Sequence, residues 1–165
     1  LFVEGEPSFG IAFVDTATGE FSLSEFEDDS ELTKFETFLA QIRPRELVIE
    51  KVGSVFGKVC KSEMGAADNM QGSLSSRSTR LLKNNTSLTT IWNKLKPGLE
   101  FWEGSTTIRE LMSQDYFDEG PSKDRRCWPQ ALEEAREREL AMSAFGALLC
   151  YLQTVMIMLD EFPIS

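Results

Sequence analysis

Hydrophobic and polar positions change period several times along the chain, and each change marks an element. Phe9–Val14 is apolar throughout, as in a central strand covered on both faces. In Glu20–Phe26, Phe21, Leu23 and Glu25 share one face, with Ser22 and Ser24 on the other. That period of two predicts a half-buried strand. Between the runs lies Asp15-Thr16-Ala17-Thr18-Gly19, whose glycine tolerates positive φ. The pair reads as an antiparallel hairpin with a five-residue loop.

Asp28-Asp29-Ser30-Glu31 is acidic and hydroxylic, suited to a helix N-terminus. Leu32, Phe35, Phe38, Leu39 and Ile42 follow at helical spacing, and Pro44 ends the run. Leu47-Val48-Ile49, between Glu46 and Glu50, reads as a short buried strand. A strand reached through a helix lies most economically parallel to one already present, so it is expected beside the first strand. The first fifty residues thus predict hairpin, helix, strand, an α/β arrangement.

Val52–Ser78 has no sustained period and is rich in glycine and serine, so it is expected to add little to the core. Thr79–Lys83 predicts a short helical turn, Thr89–Trp92 another strand, and Pro97-Gly98 a turn. Ser105-Thr106-Thr107 opens a helix through Leu111, with Thr107 and Glu110 as a capping box. Gly120–Arg126 reads as a polar linker. Pro129 suits a first helical turn. Ala141, Ala144, Phe145, Leu148, Leu149, Leu152, Val155, Met156 and Leu159 form a stripe of helical period. A break is expected within Pro129–Leu159, and Glu133–Glu139 reads as a solvated face.

Composition narrows the chemistry. The chain has 165 residues, enough for one domain, and Leu1 stands where an initiator methionine would. The natural N-terminus is therefore expected upstream, and no secretory signal is visible. There is no histidine, so the usual general base near neutral pH is missing. Cys60, Cys127 and Cys150 are scattered, without the spacing of a zinc site, and read as reduced thiols. Net charge is −10, unfavourable for autonomous DNA binding. Residues 51–96 reverse this locally, with 8 basic and 2 acidic side chains, which read as solvated. Leu140–Leu159 carries no charge and is long enough to span a bilayer, but its stripe is explained by burial against a sheet. Trp92, Phe101 and Trp102 read as packing groups rather than base-stacking ones.

Taken together, GIAFVDTATGEFSLSEFEDD, FLAQIRPRELVIEK, LLKNNTSLTTIWNKLKPGLEFW and ELAMSAFGALLCYLQ resemble the connector domain of eukaryotic MutS-family mismatch-repair proteins. They stand in the family's order and cover most of the chain. The hairpin ending in Asp15, its TATGEF turn and the helix closing on Arg43-Pro44-Arg45-Glu46 are the most specific part. Leu82–Trp92 is most similar to the sixth MutS homologue. Two departures exist. Val52–Gly72 has no counterpart in the family's usual sequence, being either a lineage-specific loop or translated non-coding sequence. From Val155 onward the continuation into the lever is not recognisable.

The resemblance implies a ribonuclease-H-like mixed α/β sheet with flanking helices. Residues 1–126 would form the connector core, with 52–78 an atypical loop. Residues 127–165 would be a helical segment packing on it and leading toward the lever. The implied role is non-catalytic: joining the mismatch-binding part to the lever and ATPase parts, and offering surface to a MutL-type partner. In the parent protein it implies mismatched double-stranded DNA, a heterodimer with the second MutS homologue and a nuclear location. The parent's ATP and magnesium would sit on an ATPase domain this chain lacks. There is no Gly-x-x-x-x-Gly-Lys-Ser/Thr phosphate loop, and no Phe-x-Glu is placed to serve as the family's mismatch-reading motif, which lies upstream of the connector. No catalytic, cofactor or metal residue is therefore assigned. The competing reading is a metal-dependent nuclease, which the same fold class supports through clustered carboxylates. Asp15 and Glu50, at strand ends, would begin such a site, but Asp15 has a plainer use in bonding its own turn.

Overall fold

A computed structural model of the chain describes residues 7–51, 74–114 and 128–161, the last five of them as helical backbone only. Its order is β1 (Ser8–Asp15), β2 (Glu20–Glu27), α1 (Thr33–Ile42), β3 (Glu46–Glu50), α2 (Ser76–Asn85), β4 (Ile91–Leu95), α3 (Gly104–Ser113), α4 (Gln130–Ala135) and α5 (Glu139–Glu161). The fold is mixed α/β.

β1 and β2 pair antiparallel, from Ser8 opposite Glu27 to Asp15 opposite Glu20. Because Asp15 and Glu20 are themselves paired, the loop is four residues, not five. Gly19 takes φ of 71° and its amide donates to the Asp15 carbonyl at 2.7 Å. The hairpin is packed on both faces. Phe9 stacks on Phe35 of α1 with centroids 4.4 Å apart, and Phe13 meets Phe38 edge-on at 5.8 Å. On the opposite face Ala12 and Leu23 pack with Leu111, Leu132, Met142 and Phe145. Most β1 positions are nevertheless half-buried, less enclosed than an all-apolar run suggests.

At the start of α1, Asp28 is 1% exposed. Its Oδ1 accepts from the Lys34 amide at 3.0 Å and its Oδ2 from the Phe35 amide at 2.8 Å. Asp29 Oδ1 accepts from Glu31 and Thr33 amides, and the Thr33 bonds do most to hold its carboxyl below the usual range. Two aspartates thus satisfy amides that the first helical turn leaves free. Arg43, at φ of 47°, ends the helix just before Pro44.

β3 does not pair with β1. It pairs parallel with β4, Glu46 opposite Ile91 through Glu50 opposite Leu95, so the described strands form two two-stranded sheets. The reason is visible in the contacts. Leu47 and Phe9 meet the same core, with Leu32, Leu39, Leu82 and Trp92, through side chains. The backbone around β3 bonds toward β4 instead: Ile91 N donates to Arg45 O, and Lys51 N to Leu95 O. β4 also begins two residues later than Thr89, since Thr90 closes a turn onto Ser87.

Three further expectations change. Residues 74–78 do not belong to a loose segment. Leu74 packs on the first core, Ser75 caps α2 by accepting from the Ser78 amide, and Ser78 is buried. The rest of the expected loop, 52–73, lies outside the described residues, as do the linker 120–126, Cys60 and Cys127. The Thr107–Glu110 capping box does not form. Thr107 lies inside α3, fully buried, its hydroxyl donating to the Glu103 carbonyl, and Glu103 holds the cap position. Finally, the C-terminal helix breaks as expected, between α4 and α5. Its burial is wider than one stripe, however: Met142 and Ala147 are buried with Ala141 and Phe145, while Met156 is exposed.

α5 is long and apolar enough, by length and composition, to cross a bilayer. Here it packs against β1, β2 and α3. Among the described basic residues of the middle segment, Arg77 pairs with Glu31, in the turn before α1. Trp92 is a core side chain, and Trp102 Nε1 donates to the Leu99 carbonyl at 3.0 Å.

Candidate functional site

The sequence singled out Asp15 and Glu50, and the structure gives them separate surroundings. Asp15 is exposed and its Oδ1 accepts from the Ala17 amide at 2.9 Å, the turn-bonding use. Glu50 is half-buried, and burial pushes its carboxyl above the usual range. One of its oxygens has no hydrogen-bond partner among the described residues. Among those residues no three side chains of metal-ligating type come together. Two shallow clefts, about 160 and 260 Å³, fall below the ~300 Å³ where ligand pockets begin.

What the structure does bring together is a junction centred on α5. Each layer grips this helix by a short-range device. Gly10 of β1 lies so close that a β-carbon there would stand 2.1 Å from the Leu140 carbonyl carbon. Glu25 of β2 accepts from the Ala141 amide at 2.9 Å, answering a free donor of the first turn. Phe21 meets the Phe145 ring edge-on at 5.9 Å. Glu139, at the start of α5, accepts from the Gly104 amide at 2.8 Å, so it fulfils for α3 the role Glu25 fulfils for α5. Ser143 donates to the Trp102 carbonyl at 2.6 Å. Farther along, Tyr151 donates to Glu46 of β3, whose same oxygen accepts from Asn93 of β4 at 2.7 Å.

The sequence had placed Phe21, Leu23 and Glu25 on one face, and that face is the one turned to α5. It had not shown that Glu25 and Glu139 are amide acceptors. Their only signal is an acidic residue on an apolar face and one at a helix start. The arrangement consists of hydrogen bonds, a ring contact and close backbone packing between elements of the fold. Its physical capacity is to bind α5 to β1, β2, α3 and β3 so that a displacement of one is felt by the others, because close-packed interfaces transmit strain.

A family model described as MutS domain II matches residues 2–160. The chain belongs to the MutS domain II family. The match runs across residues 52–73 and reaches into α5, so the family resemblance read from the sequence holds over nearly the whole chain. Among curated relatives, DNA mismatch repair protein MSH6 of Saccharomyces cerevisiae is 35% identical over 147 residues, covering 88% of this chain. DNA mismatch repair protein Msh6 of Homo sapiens is 29% identical over 163 residues, covering 91%. That of Arabidopsis thaliana is 27% identical over 172 residues. The likeness to the sixth homologue is thus borne out. The chain spans about a tenth of the length of these relatives. In MutS domain II terms, the α5 junction joins the N-terminal hairpin to the C-terminal helix of the matched stretch.

Proposed function

We propose that the chain is the non-catalytic connector of a mismatch-repair protein, built on a ribonuclease-H-like sheet. It links a mismatch-binding part to lever and ATPase parts and offers surface to a MutL-type partner. The parent would act in the nucleus on mismatched double-stranded DNA, paired with a second MutS homologue. ATP and magnesium would bind outside this segment. The observation carrying this reading is the α5 junction, in which one helix is fixed to four other elements within a chain of the MutS domain II family. What supports the ribonuclease-H-like reading is the chain order of hairpin, helix and parallel strand pair; the described strands themselves form two two-stranded sheets, not one.

The test uses the full-length parent with its partner subunit and strains the α5–α3 contact by Gly146→Ala, whose added β-carbon would stand 2.0 Å from the Thr107 hydroxyl oxygen. Mismatch affinity and basal ATP hydrolysis should stay within about twofold of wild type, while the effect of mismatched DNA on hydrolysis falls. Undiminished coupling in a variant of proven lower stability would refute the role given to α5. The nuclease alternative has its own readout: divalent-metal-dependent cleavage by this chain that Asp15→Asn abolishes. Asp15's engagement with its own turn speaks against it.

A further inference from the structure

The end of the molecule where β3 and β4 begin holds aliphatic side chains in water. Leu88 is 108% exposed, Ile91 is 58% exposed, and Ile42 closes α1 at the same end. Leu88 is not on a loose loop. Ser87 Oγ lies 2.8 Å from Thr89 Oγ1 and 3.2 Å from Thr90 Oγ1. The Ser87 amide donates to Thr90 Oγ1, and that buried hydroxyl donates to the Pro44 carbonyl at 3.3 Å. One residue on, Ile91 N donates to Arg45 O at 3.0 Å. The turn is therefore stitched to the α1–β3 connection while its leucine stands free. A side chain held in place before binding loses little freedom on docking.

The charge around it is reversed relative to the molecule. Net charge is −10, yet Arg43, Arg45 and Lys83, all exposed, stand where α1 ends, β3 begins and α2 ends. No ion pair within 4.0 Å involves them among the described residues. Arg43 spends its Nε–H on the Ala40 carbonyl. The nearby Glu46 is engaged by Tyr151 and Asn93.

We propose that this end docks an acidic segment of a partner protein bearing apolar side chains. Leu88 and Ile91 supply the apolar contact, and Arg43, Arg45 and Lys83 answer the carboxylates. A nucleic acid would use the three cations through its phosphates but would leave the aliphatic pair in water, so a protein fits better. The inference goes beyond the connector reading and does not rest on it, since none of these residues belongs to the α5 grips tested above.

The test is fluorescence anisotropy with the 165-residue chain. Its probes are labelled synthetic peptides carrying Leu and Phe among Asp and Glu, sign-reversed Lys/Arg copies, and an unlabelled DNA duplex as competitor. The acidic peptides should bind saturably at micromolar concentrations, and the reversed copies should not. Leu88→Asp and Arg45→Glu should each weaken binding about tenfold or more, with unchanged melting, since both side chains are exposed. Absence of saturable binding, equal binding of the reversed peptides, or indifference to Leu88→Asp would overturn the proposal. So would ready displacement by the duplex, which would mark a nucleic-acid surface instead.

Discussion

Gly146 of α5 faces Thr107 of α3 so closely that a β-carbon at Gly146 would stand 2.0 Å from the Thr107 hydroxyl oxygen. Thr107 cannot retreat freely, because it is fully buried and its hydroxyl is bonded to the Glu103 carbonyl. Gly146→Ala should therefore destabilise the chain by about 1–3 kcal/mol, the usual cost of overpacking. In a Thr107→Ala background that cost should shrink, with a coupling of about 0.5–3 kcal/mol. Urea unfolding of the four proteins measures it; simple additivity would show that the two residues do not press on each other.

Asp28 invites a second substitution. Its carboxylate also accepts from the Asp29 amide, so three buried or half-buried donors depend on it. Asp28→Ala should cost on the order of 3 kcal/mol, because the amides of Lys34 and Phe35 would lose a charged acceptor away from water. Asp28→Asn should cost less, since one carbonyl oxygen remains. Equal losses for the two variants would count against this account.

Tyr151 gives a pH dependence. Burial, and then its hydrogen bond to Glu46, push the phenol up from 10.0 to about 12. The folded state thus holds this proton more tightly than the unfolded chain does. The stabilisation is fully present below pH ~10 and is lost as pH rises toward 12. Comparing melting temperature against pH for wild type and Tyr151→Phe isolates the effect, since other alkaline titrations are shared. The wild-type advantage should disappear within that window. Parallel profiles throughout would mean that neither burial nor the bond to Glu46 holds this proton in the folded state.

For nucleic acid, the net charge of −10 leads to weak, salt-sensitive binding of duplex DNA by the isolated chain, without preference for a mismatch. Gel-shift titration of matched and mismatched duplexes at physiological salt checks this. Mismatch-selective binding would place recognition inside this domain and refute its role as a connector alone.

Local chemistry was legible in the sequence; pairing at a distance was not. Residues 8–50 declare themselves because each element carries its own signal: alternation in β2, Gly19 in the turn, Asp28 and Asp29 before α1, Pro44 after it. The partner of β3 carries no such signal. Leu47 serves equally well beside β1 or β4, and the choice is made by side chains from α1 and α2 meeting in one core. Thr107 shows the same limit at smaller scale. Its type and spacing fit a cap, but Gly104, which accepts no side chain at its close approach to Glu139, lets the helix begin four residues earlier, with Glu103 as its cap. Glu25 was placed on the correct face as a strand residue, yet its service to the Ala141 amide depends on a helix more than a hundred positions later.

The parallel pairing of β3 with β4 also bears on the order of folding. Glu46 and Asn93 are bonded across 47 positions of sequence, whereas Asp15 and Gly19 close the hairpin within a single turn. The hairpin and α1 can assemble from near neighbours; β3 and β4 must wait for a long chain closure. The entropy of such a closure rises only logarithmically, by about 0.6 kcal/mol for each doubling of length. Natural selection can therefore lengthen or shorten the stretch between β3 and α2 at small thermodynamic cost, while a residue inserted between Asp15 and Gly19 must be taken up within the turn, because a one-residue slip of the ladder would turn every side chain of β2 to the wrong face.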